Sequence, residues 1–99
     1  PDAPTAYICV NDVIALAVIR AVQACNKQVP KDVRVIGFND SFFAQYTSPS
    51  LTTVRRPLMQ LGEEACRRFC QVAYEKKHDL PPVVLPTELV IRESSIVPD

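Results

Sequence analysis

Two short apolar runs, Ala6-Tyr7-Ile8-Cys9-Val10 and Val33-Arg34-Val35-Ile36-Gly37-Phe38, each pass directly into Asn-Asp, giving Asn11-Asp12 and Asn39-Asp40. Between them the periodicity changes. From Asp12 to about Asn26 the positions Val13 to Ile19, Ala21, Val22 and Ala24 are apolar, and the polar Arg20, Gln23 and Lys27 fall on one narrow stripe. That pattern predicts a helix with Asn11 or Asp12 able to cap its start. Strand, helix, strand in this spacing predicts a βαβ unit with parallel strands. Parallel neighbours bring both Asn-Asp pairs to one sheet edge. Ligands of open α/β sheets bind beyond the carboxyl ends of the strands. Two amides and two carboxylates are therefore expected to converge where a small polar ligand docks.

The narrow polar stripe carries a second expectation. A surface helix on a sheet shows a wider polar face, so this helix should be covered on more than one side. The sheet covers one; another helix of the same domain or a partner chain covers the rest. Val29-Pro30-Lys31-Asp32 reads as the turn into the second strand. Ser41–Tyr46 holds three aromatics without a clear period. It reads either as a helical turn tucked onto its own core or as a protein interface. Leu51–Arg56 reads as a short strand stopped by Pro57 at the start of a second helix, about Leu58 to Lys77. In that helix Leu61, Ala65, Phe69 and Val72 share an apolar face, opposite Glu63, Glu64, Arg67, Arg68 and Lys76. Lys77–Pro82 breaks it. Val83-Val84-Leu85 and Thr87–Arg92 read as the last strands, and Glu93–Asp99 as an irregular tail.

Charge and composition narrow the class. Lys+Arg and Asp+Glu both number 11, so the net charge is zero, and 47% of the residues are hydrophobic. Neutrality argues against a module that binds nucleic acid or membrane by bulk charge. No apolar run reaches the ~20 residues of a bilayer span. The start, Pro1-Asp2-Ala3-Pro4, has no Met and enters a core-type strand almost at once, which reads as a piece of a longer protein. Of the four cysteines, Cys9 lies in an apolar strand, Cys25 near a helix end, and Cys66 and Cys70 one turn apart on one helix. The last two could supply half a metal site. With no His or further Cys at suitable spacing, the expectation is buried thiols in a reducing cytosol, with no metal and no cofactor.

Six segments, taken together, resemble the lactose-repressor/galactose-repressor (LacI/GalR) family of bacterial transcription regulators. They are Val10-Asn11-Asp12-x-x-Ala15-Leu16, Val29-Pro30-x-Asp32-Val33, Val35-Ile36-Gly37-Phe38-Asn39-Asp40, Leu51-Thr52-Thr53-Val54-Arg55-x-Pro57, Leu61-Gly62 and Leu85–Ser94. The resemblance covers nearly the whole chain in order and spacing. It implies an α/β fold: the parallel-sheet βαβ layers of a periplasmic-binding-protein-like region, here incomplete. Residues 1–51 would be a C-terminal-lobe βαβ segment and 52–57 an inter-lobe crossover. Residues 58–82 would form a helix packing on the N-terminal lobe, and 83–99 returning strands and tail. The parent would be a cytoplasmic homodimer that senses a small sugar-like metabolite. It would bind operator DNA through a headpiece absent from this chain, with no membrane association. An extracytoplasmic sugar-binding receptor on the same fold is the alternative.

By that resemblance Asn11 and Asn39 are ligand-binding residues. An amide offers donors and an acceptor to a polyol or purine edge. Asn39 stands where the family often has Asp, which removes a charge and disfavours a cationic effector. Each has a plainer reading, Asn11 as a helix cap and Asn39 as a turn residue. Asp12 and Asp40 read as structural caps or loop anchors. Leu16, Ile19, Arg20, Phe42, Phe43 and Tyr46 form the candidate dimer interface, or else pack within one chain. Catalytic residues are not expected. Paired carboxylates could do acid–base work or hold Mg²⁺, as in a phosphoacceptor receiver, but no nucleophile, glycine-rich phosphate loop or partner Lys accompanies Asp12 and Asp40.

Overall fold

The computed structural model describes residues 2–98. It contains β1 (Ala6–Ile8), α1 (Asp12–Ala24), β2 (Arg34–Ile36), a 3-10 turn (Phe42–Gln45), β3 (Thr53–Arg55), α2 (Leu58–Ala73), β4 (Glu88–Val90) and a second 3-10 turn (Glu93–Ser95). The chain divides into two compact units: Pro1–Arg55 with Glu88–Asp99, and Arg56–Thr87.

In the first unit β1 and β2 are parallel, with Ala6, Tyr7 and Ile8 opposite Arg34, Val35 and Ile36. β3 and β4 are antiparallel, with Thr53 opposite Val90 and Arg55 opposite Glu88. Between the pairs, Ile36 and Thr52 form a single parallel bridge. Every strand is shorter than the segment expected for it. Where the β2–β3 ladder would continue, a side chain intervenes. The Thr52 amide donates to Ser94 Oγ at 2.9 Å, and that hydroxyl donates to the Val35 carbonyl at 2.6 Å. One serine thus satisfies both buried backbone groups.

The core is Cys9, Ala15, Ile19, Val35, Ala44 and Leu51, with Val18, Val29 and Val33 packed against it. Ala15 and Ile19 are one helical turn apart and so share a face. Val33, Val35 and Gly37 alternate along β2 toward the same side. Gly37 is glycine for a packing reason: a Cβ there would lie 2.2 Å from Asp12 Oδ1 and 3.0 Å from Leu51 Cδ2.

Several expectations change. The first strand was expected to be core-type, yet every residue of β1 is exposed, Ile8 by 84%. It is a sheet edge, and the described residues cover only part of its two faces. The wide cover expected for α1 is likewise partial: Asp12, Ala15 and Ile19 are buried, whereas Val13 and Ile14 are exposed. Val83-Val84-Leu85 forms no strand; Pro82 and Pro86 flank it and offer no amide donors. The supposedly irregular tail holds the 3-10 turn at Glu93–Ser95, with Ser94 fully buried; Asp99 lies outside the described residues. Three of the four thiols are exposed, leaving only Cys9 buried.

In the second unit α2 starts directly after Pro57 and ends at Ala73, one turn before Lys77. Its apolar residues do follow one face, but no α2 residue is buried. Edge-to-face contact between Phe69 and Tyr74, with centroids 6.2 Å apart, closes its end. Among the described residues no helix is long and apolar enough to cross a membrane.

Candidate functional site

The β1–β2 register decides where the Asn-Asp pairs go. Ile8 is opposite Ile36, and Asn11 and Asn39 each lie three residues further on. Both therefore stand at the carboxyl edge of neighbouring parallel strands. The Asn11 Oδ1 accepts from the Ile14 amide at 2.8 Å, so Asn11 is the N-cap of α1. Its amide nitrogen makes no hydrogen bond among the described residues. The cap thus falls to Asn11 rather than to Asp12. One oxygen is committed, and two N–H donors stay available at the edge.

Asp12 does different work. It is fully buried as the first residue of α1. Its Oδ2 accepts from the Ser41 amide at 2.5 Å and its Oδ1 from the Thr53 hydroxyl at 2.7 Å. A buried carboxylate needs such donors. Here they come from the loop after β2 and from β3, so Asp12 anchors a loop and a strand.

Asn39 and Asp40 both have positive φ, 110° and 53°. Non-glycine residues adopt that region at a cost, and Asn and Asp least so. Two bonds to β3 hold the turn: the Asn39 amide donates to the Val54 carbonyl at 2.9 Å, and the Asp40 amide to the Thr53 hydroxyl at 3.2 Å. The half-buried Asn39 side chain makes no hydrogen bond among the described residues. The carboxylate of Asp40 takes two arginines, Arg55 Nε at 2.7 Å and an Arg92 terminal nitrogen at 2.9 Å. Burial pushes the Asp40 carboxyl up, but the hydrogen bonds and charges of Arg55 and Arg92 outweigh it and hold the group below the ordinary carboxylate value. Arg92 also donates to the Leu51 carbonyl at 2.9 Å, and Arg55 lies 3.5 Å from Glu88. Beside them Glu93 accepts from the amide and the hydroxyl of Ser50, which lowers its own pKa.

Thr53, Arg55, Arg92 and Ser94 were not among the site residues expected from the sequence. Their only signal was membership of the Leu51–Pro57 and Leu85–Ser94 segments. Two arginines near strand ends have no partner visible in one dimension, because Asp40 is 15 residues from Arg55 and 52 from Arg92 in the chain.

The candidate dimer residues separate. Ile19 is 1% exposed in the chain's own core, one helical turn from Ala15, and so is unavailable to a partner. Leu16 and Phe43 are half-buried, and Arg20 is exposed. Phe42 and Tyr46 are 82% and 77% exposed while Ala44 between them is buried. The aromatic segment is a 3-10 turn seated by Ala44 that leaves Phe42 and Tyr46 at the surface.

A concavity of about 700 Å³ lies elsewhere, toward the amino ends of β2 and β3, walled by Val29, Pro30, Pro49, Arg92 and Ile96. Neither Asn11 nor Asn39 reaches it, and its charged residues, Arg92 and Glu93, are already paired. At the Asn edge the Asn11 and Asn39 amide groups are partly exposed and keep unused donors, a chemistry that suits hydroxyl-rich ligands.

A βαβ layer with paired amides at its carboxyl edge is the arrangement at which open α/β sheets bind small polar ligands. The family model described as periplasmic binding protein-like domain matches residues 1–95. The transcriptional regulator RegA of Clostridium saccharobutylicum is 43% identical over 89 residues, 90% of this chain and 27% of that protein. A structure of the transcriptional regulator CelR in complex with cellobiose superposes with a TM-score of 0.85 at 32% identity, covering 92% of this chain and 28% of that one. A lac repressor dimer bound to operator and the anti-inducer ONPF gives a TM-score of 0.86 at 29% identity, covering 95% and 32%. The chain belongs to the periplasmic binding protein-like family, on the branch of the LacI-type transcriptional regulators. It spans about a third or less of the length of these relatives.

Proposed function

We propose that this chain is the C-terminal part of the effector-sensing region of a cytoplasmic LacI/GalR-type transcriptional regulator. A sugar-like metabolite binds at the carboxyl edge, with Asn11 donating and Asn39 both donating and accepting. Binding shifts the population between DNA-binding and non-binding states without covalent chemistry. Operator contact belongs to a headpiece outside these residues. The observation that carries the reading is the register that sets Asn11 and Asn39 side by side, each with unused side-chain donors. The cellobiose bound by CelR and the operator bound by the lac repressor support it by analogy. The regulator works as a homodimer, with Leu16, Arg20, Phe42, Phe43 and Tyr46 toward the sister subunit. Exposed aromatics beside an apolar helix face suit such a contact.

The test is a thermal-shift titration of the full-length regulator with sugars, sugar phosphates and purines, on wild type and Asn39→Ala. A compound that raises the wild-type Tm with concentration and loses at least tenfold in affinity in the variant supports the site. A compound whose effect ignores Asn39 moves the site elsewhere. Silence across the panel removes the sugar-like effector from the reading.

A further inference from the structure

The Asp40 carboxylate lies where three separate stretches of chain meet. Asp40 directly follows Asn39 in a turn with two consecutive positive φ angles. Its two oxygens are divided: Oδ2 takes Arg55 and Oδ1 takes Arg92. Arg55 is the last residue before the chain leaves the first unit, and β4, four residues before Arg92, begins at Glu88, where the chain returns. One carboxylate thus ties the strand-end turn to both the departing and the returning strand. Arg92 is itself held to the Leu51 carbonyl, and its amide donates to the Thr52 hydroxyl at 2.7 Å. The turn has no glycine to make its conformation easy. It persists because Val54, Thr53 and the two arginines over-determine it.

We propose that Asp40 is a positioning residue, a latch that fastens the effector edge to both connections between the units, so that movement of Asn39 is felt at Arg55 and Arg92 together. This rests on the effector reading above and deepens it. A ligand that draws on the Asn39 amide pulls on a backbone already at positive φ. Asp40 is the next residue, so its carboxylate swings with the turn. Both ion pairs then lengthen or tighten as one event. Coupling of this kind needs a two-state element that the ligand biases; the Asp40–Arg55–Arg92 cluster would supply it, with Arg55 turning to Glu88 in the second state. Arg55 is half-exposed and also near Glu88, so it has an alternative partner when Asp40 moves away.

Hydrogen exchange on the full-length regulator, with nothing added, tests the latch. In Asp40→Asn the segments 52–56 and 88–92 should exchange together about tenfold faster, as expected for loss of charge-assisted bonds. Segments 12–24 and 58–73 should keep their wild-type rates. Acceleration confined to 39–41 overturns the proposal, and so does acceleration spread evenly over the chain. Should Asp40→Asn fail to fold, Arg92→Gln serves. It should loosen 52–56 as well as 88–92, and confinement to its own strand overturns the latch.

A pH series separates the charge of Asp40 from its shape. The groups facing Asp40 are Arg55 on β3 and Arg92 beyond β4, with Glu88 beside Arg55 and Asp12 of α1 one hydroxyl away through Thr53. Wild-type protection at 52–56 and 88–92, taken relative to the intrinsic exchange rate at each pH, should fall together as the medium is acidified and Asp40 takes up a proton. Asp40→Asn should show no such step, and an equal step in both proteins overturns the assignment. The two failures are separable. Silence in the compound panel removes the effector reading, whereas strands that ignore Asp40 remove the latch, with or without an effector.

Discussion

The two units use amino-acid patterns of similar strength and hold them by different means. In the first, side chains reach far along the chain: Thr53 to Asp12 across 41 residues, Ser94 to Val35 across 59, and Arg92 to Leu51 across 41. In the second, the reach is shorter, 3 and 13 residues. Arg67 pairs with Glu64 one turn away, and Arg68 reaches the Pro81 carbonyl. Both helices were legible from their apolar positions. Yet α1 buries Asp12, Ala15 and Ile19, whereas α2 buries nothing despite its sharper amphipathic division. An amphipathic stripe states that a helix wants cover. It does not say whether its own unit supplies that cover. The difference teaches where cover comes from: the first unit builds long-range polar stitching around a small core, and the second leaves the apolar face of α2 uncovered among the described residues.

The sharpest way to break this contrast is Gly37→Ala. The new Cβ meets the Asp12 carboxylate at 2.2 Å, and neither Asp12 nor Leu51 can move without breaking bonds or opening the core. A loss of about 3 kcal/mol is expected in urea unfolding. Adding Asp12→Ala should cost less than the sum of the two single changes, because they share one contact.

Ser94→Ala is next. It strands the Thr52 amide and the Val35 carbonyl in a buried position, which should cost about 2 kcal/mol. Ser94→Thr keeps the hydroxyl but adds a methyl in a fully buried place, so restoration by Thr would show that the site has slack.

Acid comes third. The folded pKa of Asp40 lies below its unfolded value, so its contribution is fully present above about pH 4 and disappears as pH falls through the folded value. Glu93 is lowered in the same sense by the Ser50 amide and hydroxyl. Stability measured against pH should therefore fall on the acid side. Asp40→Asn should flatten that limb more than Glu93→Gln does, because Glu93 is exposed and solvent screens it.

Gly62→Ala is the smallest effect and has the opposite sign. A Cβ there meets nothing within 4 Å. The change should raise helix stability by about 0.5–1 kcal/mol from propensity alone, read as increased α2 amide protection. The same Gly-to-Ala replacement would then destabilise one unit and stabilise the other. If the two substitutions gave effects of one sign, the contrast would collapse.

The aromatic segment shows how far one-dimensional reading goes. Phe42, Phe43 and Tyr46 have no period, so the sequence left core and interface equally open. The structure answers with Ala44, a small residue that seats the turn while Phe42 and Tyr46 stay outside. Ile19 was the converse case. Its helical spacing placed it with Leu16 and Arg20, and only the position of Val35 and Leu51 beneath it decided that it faces inward.

What the sequence alone determined was local and periodic. The two helices follow from apolar spacing, the parallel βαβ order from alternation and length, and the shared edge of Asn11 and Asn39 from parallel strands ending alike. Pro57 marked the start of α2, whereas Val83-Val84-Leu85 was expected as a strand and forms none. Tertiary structure decided what depends on partners distant in the chain. It made Asn11 the cap and released Asp12 to anchor Ser41 and Thr53. It set Ser94 between β2 and β3 where a ladder bond would otherwise run. It placed Arg55 and Arg92 on one carboxylate. A side chain's periodicity is written in its neighbours three or four residues away, but the partner of a buried polar group is chosen by whichever distant backbone the fold brings within hydrogen-bond reach.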